Sequence, residues 1–402
     1  MIEACPAFPM RRISPLDPPP PYAAIRAEGG IARASLWNGT TTWLVTRHED
    51  VRAVLADSET FSTVAHRPGY PMMAPGRAEV LLNERPTFNR LDPPEHTPLR
   101  RMLTREFSVK RIQEMRPFLE DTVDRLLEAM ERAGPPADLV TALALPLPTM
   151  VISHMLGIPY EDHEFFQERT STKLNLETGP GVSLAAQRDV LAYLDRLMRS
   201  KAEADPIPDD LLGRLMKDHV LTGNLSHEDA VQMAEMVIVA GHETTANMIT
   251  LGTIILQRNP DQLELLRRDR SLMGSAIEEM LRFLTITHFN GARVAVKDTV
   301  LCGQEIKAGE GVWALLPAAN RDEKVFPAPD QFDITRGAHH HVAFGFGVHQ
   351  CLGQSLARLE LDIVFNRMLD RFPGLELAIP FDDIPFKHDS FVFGVKCLPV
   401  AW

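Results

Sequence analysis

Cys351 is the residue of this chain best placed to do chemistry. It stands in Phe344–Gly353 (FGFGVHQCLG), a glycine-rich loop directly ahead of a helical pattern over 353–371. A thiol at a helix N-terminus lies in the positive end of the macrodipole and near unpaired N–H groups, and both favour thiolate. Gly345, Gly347 and Gly353 carry no Cβ, so the backbone can approach a large flat partner and turn its N–H groups toward the sulfur. His349, two residues before the cysteine, adds a positive charge beside an acidic group of that partner. A soft, redox-tunable thiolate of this kind is what an axial ligand to haem iron needs.

Plainer readings compete for the same residues. A lone cysteine is most often a small buried hydrophobe, and the glycines by themselves mark a turn. A zinc site would draw on His339, His340, His341, His349 and Cys351. Zinc, however, takes four ligands on defined spacings, and the histidine run leads straight into the apolar Val342–Phe344.

A second centre lies about a hundred residues upstream. Ser226 with Asp229 reads as a capping box opening a helix that runs to about Gln257, where Asn259-Pro260 stops it. Some 30 residues of helix span about 45 Å, enough to cross a whole domain. After the apolar Met236–Ala240 come Gly241, His242, Glu243, Thr244 and Thr245. Glycine at a helix centre costs about 1 kcal/mol relative to alanine, and adjacent threonines lose rotamer freedom. A kinked core helix with a solvated acid would explain this much. The functional reading is that Ala240 and Gly241 clear space for a planar cofactor and a diatomic ligand. Thr244 would then hydrogen-bond bound oxygen while Glu243 relays protons from solvent.

Together the two segments resemble the cytochrome P-450 family. FGFGVHQCLG is similar to its cysteine-ligand loop, and AGHETT over 240–245 to its oxygen-activation motif, usually A/G-G-x-D/E-T-T. The resemblance spans nearly the whole chain, from Asn38-Gly39 to Leu398-Pro399-Val400. It is nearest the actinobacterial-type branch that oxidises macrolides, polyketides, steroids and drugs, through AGHETTAN, HHVAFGFGVHQCLG and HDSFVFGV. It implies a mostly helical fold with small β-sheets, the single-domain triangular prism of that family, over 1–402 with a proline-rich lead-in at 1–21. It also implies a haem b (heme) group whose iron is ligated by the Cys351 thiolate. Phe344, Gly345 and Gly353 would shape the loop, and Ala240 and Gly241 would lie against the cofactor.

A haem carries two propionates, and buried carboxylates need charge-assisted partners. The family positions give that role to His96 and Arg100, spaced i, i+4 in DPPEHTPLR, to Arg293, and to His349. Glu279 and Arg282, spaced i, i+3, share a helix face and match the family's E-x-x-R motif, a buried structural network. Its usual third member is an arginine in P-x-R-F. Here Pro329-Asp330-Gln331-Phe332 puts Gln331 in that place, and Arg336 is the candidate substitute.

The activity so implied is a monooxygenase. It inserts one oxygen atom of O₂ into a C–H bond of a small, largely apolar substrate (macrolide, polyketide, steroid, terpenoid or xenobiotic), with Glu243 and Thr244 delivering protons. Electrons would come from NAD(P)H through a separate ferredoxin and ferredoxin reductase, because nothing follows the strand-like Phe391–Val400. Arg101, Arg105, Lys110 and Arg111 could form a docking patch for that acidic partner, or simply a solvated helix face. A nitric-oxide-reducing branch of the superfamily is a rival, but it typically lacks the acid that Glu243 supplies. A non-enzymatic haem sensor or carrier is another, and it has no need of the Glu243–Thr244 pair.

These centres must be carried by the rest of the chain. Ala32–Trp37 and Thr41–Thr46 flank Asn38-Gly39 and predict a β-hairpin, followed by a helix at about Glu49–Asp57. The 62–90 segment, rich in Pro, Gly and Arg, predicts a long loop. From Glu95 to about Leu215 the pattern is helical, with breaks at 134–136 and 178–181, the second dividing helices over about Glu161–Asn175 and Leu184–Glu203. A further helix over Ser275–Phe283 and a strand over Ala292–Val296 carry Glu279, Arg282 and Arg293. Substrate contacts are expected from 62–90, 178–181, Met236–Ala240, Ile286–Ala292 and Phe391–Phe393.

With 402 residues, 45% apolar and 24% charged, the chain has the composition of a protein with a sizeable core. A net charge of −12 argues against generic nucleic-acid binding. Four scattered cysteines without a C-x-x-C pair fit a reducing cytoplasm. The N-terminus shows no apolar run of signal or anchor length, so a soluble, cytoplasmic monomer without membrane association is expected.

Overall fold

Asn38-Gly39 turns the chain back on itself, with Gly39 at φ +78°, a conformation that costs glycine nothing. Ile31–Ser35 and Thr41–Val45 pair antiparallel, Ile31 opposite Val45. The computed structural model describes residues 5–402 apart from Glu84, Pro180 and His288. The share of the expected break at 178–181 that falls on Pro180, and that of the 286–292 pocket segment on His288, lie outside the described residues.

The hairpin is one edge of a five-stranded sheet. Thr41–Val45 pairs parallel with Gly311–Ala314, which pairs antiparallel with Ala292–Ala295, and Phe61–Ser62 closes the other edge. Arg293 sits opposite Val312 in this sheet. A three-stranded sheet (Ala137–Asp138, Pro399–Ala401, Glu376–Leu377) and a two-stranded one (Thr299–Leu301, Gln304–Ile306) complete the β structure.

Helices make up the rest. The longest, His227–Arg258, starts where its capping box predicts: Ser226 Oγ accepts the Asp229 N–H at 3.1 Å and donates to Asp229 Oδ2 at 2.7 Å. It continues unbroken through Gly241–Thr245. Pro146–Leu156, Val182–Glu203, Met273–Leu284 and Gln354–Arg371 pack around it. Ile249, Leu251 and Ile254 are fully buried there, each worth about 1.5–3 kcal/mol of apolar transfer.

Two expectations need correction. The 62–90 segment is not all loop, because Pro75–Asn83 forms a helix that buries Ala78, Val80 and Leu81 and packs on Val182–Glu203. Nine residues carry too few turns to show a period, so tertiary packing decides it. Phe391–Val400 is not one strand, since pairing in the small sheet is confined to Pro399–Ala401. Ahead of it the chain doubles back on itself: the Lys387 N–H donates to Gly394 O and the Lys396 N–H to Pro385 O, both at 2.8 Å.

Candidate active site

The cysteine loop is built from short-range hydrogen bonds. The Gly345 N–H donates to Val342 O at 2.8 Å, Gln350 N–H to Gly347 O at 3.1 Å, and Cys351 N–H to Phe344 O at 2.8 Å. Gly345 and Gly347 have φ of +73° and +72°, so both turns require glycine. Gly353 is the N-cap of Gln354–Arg371. Burial pushes the Cys351 thiol up, against the Gly353 N–H and the charges of Arg100 and Arg358, which favour the thiolate.

Around the loop the structure collects a set of cations. His96 opens the helix His96–Thr104, its ring 4.8 Å from that of His349, and Arg100 one turn later donates to Gln350 O at 2.6 Å. Arg293, buried in the sheet, and Arg90 act on the same imidazole. Burial first, then Arg293, His96, Arg100 and Arg90, pull His349 down to about 2. The positive charge expected of His349 beside an acidic group is thus opposed by burial and by the arginines around it. Both its buried ring nitrogens lack a hydrogen-bond partner among the described residues. Asp92 is the carboxylate nearby, and it accepts from Ser62 Oγ and the Thr63 N–H.

The middle of the long helix is open where its surroundings are closed. Ala240 is exposed and Thr244 half-buried, whereas Val237, Ile238, His242, Glu243 and Thr245 are buried. Thr244 Oγ1 donates to Ala240 O at 2.8 Å, which leaves the hydroxyl its lone pairs to offer. A Cβ at Gly241 would run into Ile152, so the missing side chain lets Pro146–Leu156 approach. Glu243 does not reach solvent directly. Its Oε2 accepts from Lys387 Nζ at 2.9 Å and from Asn247 Nδ2 at 3.3 Å. Burial alone would raise this carboxyl; the charges of Lys387 and His242 and the two hydrogen bonds outweigh it and hold it below its ordinary range.

The E-x-x-R network is complete. Arg282 and Glu279, both fully buried, form a two-point pair at 2.7 and 2.8 Å, and Arg336 Nε joins Glu279 Oε1 at 3.1 Å. Gln331 contributes its main-chain carbonyl, which accepts from Arg336 Nη2 at 2.8 Å. Asn320, not singled out from sequence, ties this network to the cysteine loop. Its carbonyl accepts from Arg282 Nη1, its Oδ1 accepts the Val342 N–H and its Nδ2 donates to Thr285 Oγ1, all at 2.8 Å. Lys387 was missed as well. An isolated lysine in a terminal loop carries no local signal; the 144-residue separation from Glu243 hides the pair.

Comparison with known proteins agrees with this geometry. Residues 183–396 match the family model described as Cytochrome P450. The chain is 49% identical over 389 residues to Cytochrome P450-SU2 of Streptomyces griseolus, covering 96% of this chain and 94% of that one. It is 44% identical over 398 residues to Vitamin D3 dihydroxylase of the same organism, covering 99% and 97%. Among solved structures, the mycinamicin VIII C21 methyl hydroxylase MycCI of Micromonospora griseorubida superposes with a TM-score of 0.92 at 40% identity, covering 99% of this chain and all of the other.

The chain belongs to the cytochrome P450 family, in its actinobacterial branch. It is a P450 monooxygenase, and its cofactor is a haem whose iron is held by a cysteine thiolate. The residues present fit that group. Arg90, Arg100 and Arg293, gathered round the His96 and His349 rings, form a cradle that two carboxylates would neutralise, and an exposed cysteine just ahead of Gln354–Arg371 is open to meet iron. Among the described residues no helix is long and apolar enough to cross a membrane.

Proposed function

We propose that Cys351 is the iron ligand and that the whole chain works as one haem domain. It would insert one oxygen atom of O₂ into a C–H bond of a small, largely apolar natural product or xenobiotic. The observation that carries the assignment is the glycine-turned loop that presents Cys351 ahead of Gln354–Arg371, beside Arg90, Arg100 and Arg293 gathered round the His349 ring. The bound haem supplies oxygen activation. His96, Arg100, Arg293 and His349 would hold its propionates, Phe344, Gly345 and Gly353 would set the loop around the sulfur, and Ala240 would leave room for oxygen. The Thr244 hydroxyl, its proton given to Ala240 O, accepts a hydrogen bond from the oxygen side of the pocket. Glu243 holds a proton-accepting carboxylate under Lys387, one residue away.

Two of these relatives are named for vitamin D3 and for mycinamicin VIII, which supports bulky, mainly apolar substrates here. A cavity of about 250 Å³ lined in part by Met73, Ala74, Phe289 and Phe393 draws on three of the segments from which substrate contacts are expected. Exposed Arg101 and Arg105 support docking of an acidic ferredoxin that passes electrons from a separate reductase, in the cytoplasm and to a monomer.

The decisive test is the absorbance spectrum of the reduced, carbon-monoxide-treated protein beside its Cys351→His variant. A strongly red-shifted Soret band in the wild type, lost in the variant, is expected. A wild-type band like that of a histidine-ligated haem would remove the assignment. Spin-shift titration with macrolides, steroids and terpenoids then sorts the substrate class.

A further inference from the structure

Behind the cysteine loop lies an ionic assembly that the proposed reaction does not use. Arg358, on Gln354–Arg371 two turns beyond Cys351, reaches back over Phe344, its guanidinium carbon 4.6 Å from the ring centroid. Glu278 grips the same guanidinium at two points, Nε to Oε1 at 2.5 Å and Nη2 to Oε2 at 3.0 Å. Gln354 Oε1 accepts from Nη1 at 3.0 Å. Glu278 is itself held by His341 Nε2 at 3.1 Å, and His341 Nδ1 accepts the Ala343 N–H at 3.1 Å, which fixes the tautomer with the proton on Nε2. The ring so gripped belongs to the residue whose carbonyl receives the Cys351 N–H at 2.8 Å.

A guanidinium clamped by a bidentate carboxylate and stacked on an aromatic face has lost most of its freedom. Its charge therefore stands at a fixed place relative to the loop. Arg358 retains 34% side-chain exposure against 8% for Glu278, so solvent screens the cation in part without releasing it.

We propose that Arg358 is a positioning residue that fixes one positive charge behind Phe344 and thereby sets the reduction potential of the iron ligated through Cys351. This rests on Cys351 being the ligand, as proposed above. One-electron reduction makes the centre more negative, so a nearby fixed cation stabilises the reduced form and raises the potential. Glu278, the counter-charge, works in the opposite sense while holding the cation in place.

The test is a reductive titration of the holoprotein with dithionite and mediators at low ionic strength, without ferredoxin, so that partner docking does not enter. Arg358→Met should make reduction less favourable by about threefold to tenfold, tenfold being 59 mV for a one-electron couple. Glu278→Gln should shift it the other way, and Arg358→Lys should recover most of the wild-type value. Opposite signs at two partners of one ion pair are not what loss of a structural contact gives. Shifts of equal sign, or an unmoved potential in Glu278→Gln, would overturn the proposal. If Arg358→Met does not retain haem, the Glu278→Gln and Arg358→Lys values decide. The carbon-monoxide spectrum separates the two readings: a wild type without the red-shifted band defeats Cys351 ligation, whereas an intact band with unresponsive potentials defeats the role of Arg358.

Discussion

Lys387 and Glu243 meet at 2.9 Å across 144 residues of chain, inside the protein and at the centre of its longest helix. The doubled-back loop that carries Lys387 is held by its own backbone bonds to Gly394, and a side chain at Gly394 would collide with Asn247, the other partner of Glu243. The acid beside Thr244 is thus governed from the C-terminal loop. A carboxylate 4% exposed would otherwise be driven toward its neutral form.

Replacing Lys387 with methionine removes the cation that lowers Glu243, so the carboxyl titrates higher. If Glu243 must be ionised to move protons, the acid limb of the pH–rate profile for product formation moves to higher pH. An unchanged limb would leave Lys387 a purely structural partner.

Thr244→Ala takes away the hydroxyl that faces the open part of the helix while leaving the Ala240 carbonyl to its helical bond. The expected outcome is uncoupling: several-fold more NAD(P)H consumed per product, with substrate spin-shift affinity little changed. Thr244→Ser should stay coupled. Stoichiometry of NAD(P)H, peroxide and product checks both.

Arg336 stands in for the arginine that Gln331 displaces. Arg336→Met removes one of two charged donors to Oε1 of fully buried Glu279, which keeps Arg282 Nη2 and the Asp333 N–H, at a cost of about 1–3 kcal/mol in urea unfolding of the holoprotein. Gln331→Ala, which keeps the carbonyl used by Arg336, should cost less than about 0.5 kcal/mol.

Glu360, on the helix after the cysteine, is 2% exposed, its Oε2 without a hydrogen-bond partner among the described residues. Burial raises its carboxyl from 4.5 to about 8. The folded protein then holds a proton that the unfolded chain releases between those values, so this group's contribution is intact below pH 4.5 and is lost as pH rises through 8. Glu360→Gln should be about 1–3 kcal/mol more stable than wild type near pH 8 and equal to it near pH 4.5. Thermal unfolding at the two pH values reads the difference.

Much of the site was legible in the chain. Signals that act over a few residues survive folding: the Ser226 cap, the Asn38-Gly39 turn, the Gly345 and Gly347 turns around Cys351, the i, i+3 pairing of Glu279 with Arg282. Each depends on backbone geometry that the local residues impose. Arg336, offered from sequence as the substitute for the arginine missing at Gln331, joins the same carboxylate.

Other features were settled by tertiary packing. Whether Pro75–Asn83 is helix depends on the helix it lies against, and Gly241 answers to Ile152 on another helix. His349 is surrounded by Arg90, Arg100 and Arg293, drawn from a short turn, a helix and a strand, while Lys387 reaches Glu243 from a loop just ahead of the segment that sequence reads as strand. The sequence by itself determined the thiolate loop, the acid–alcohol pair and the family, because those motifs are contiguous. Only the tertiary structure decided how the charges are compensated, because an ion pair depends on distance in space and on burial, and neither is written in chain order.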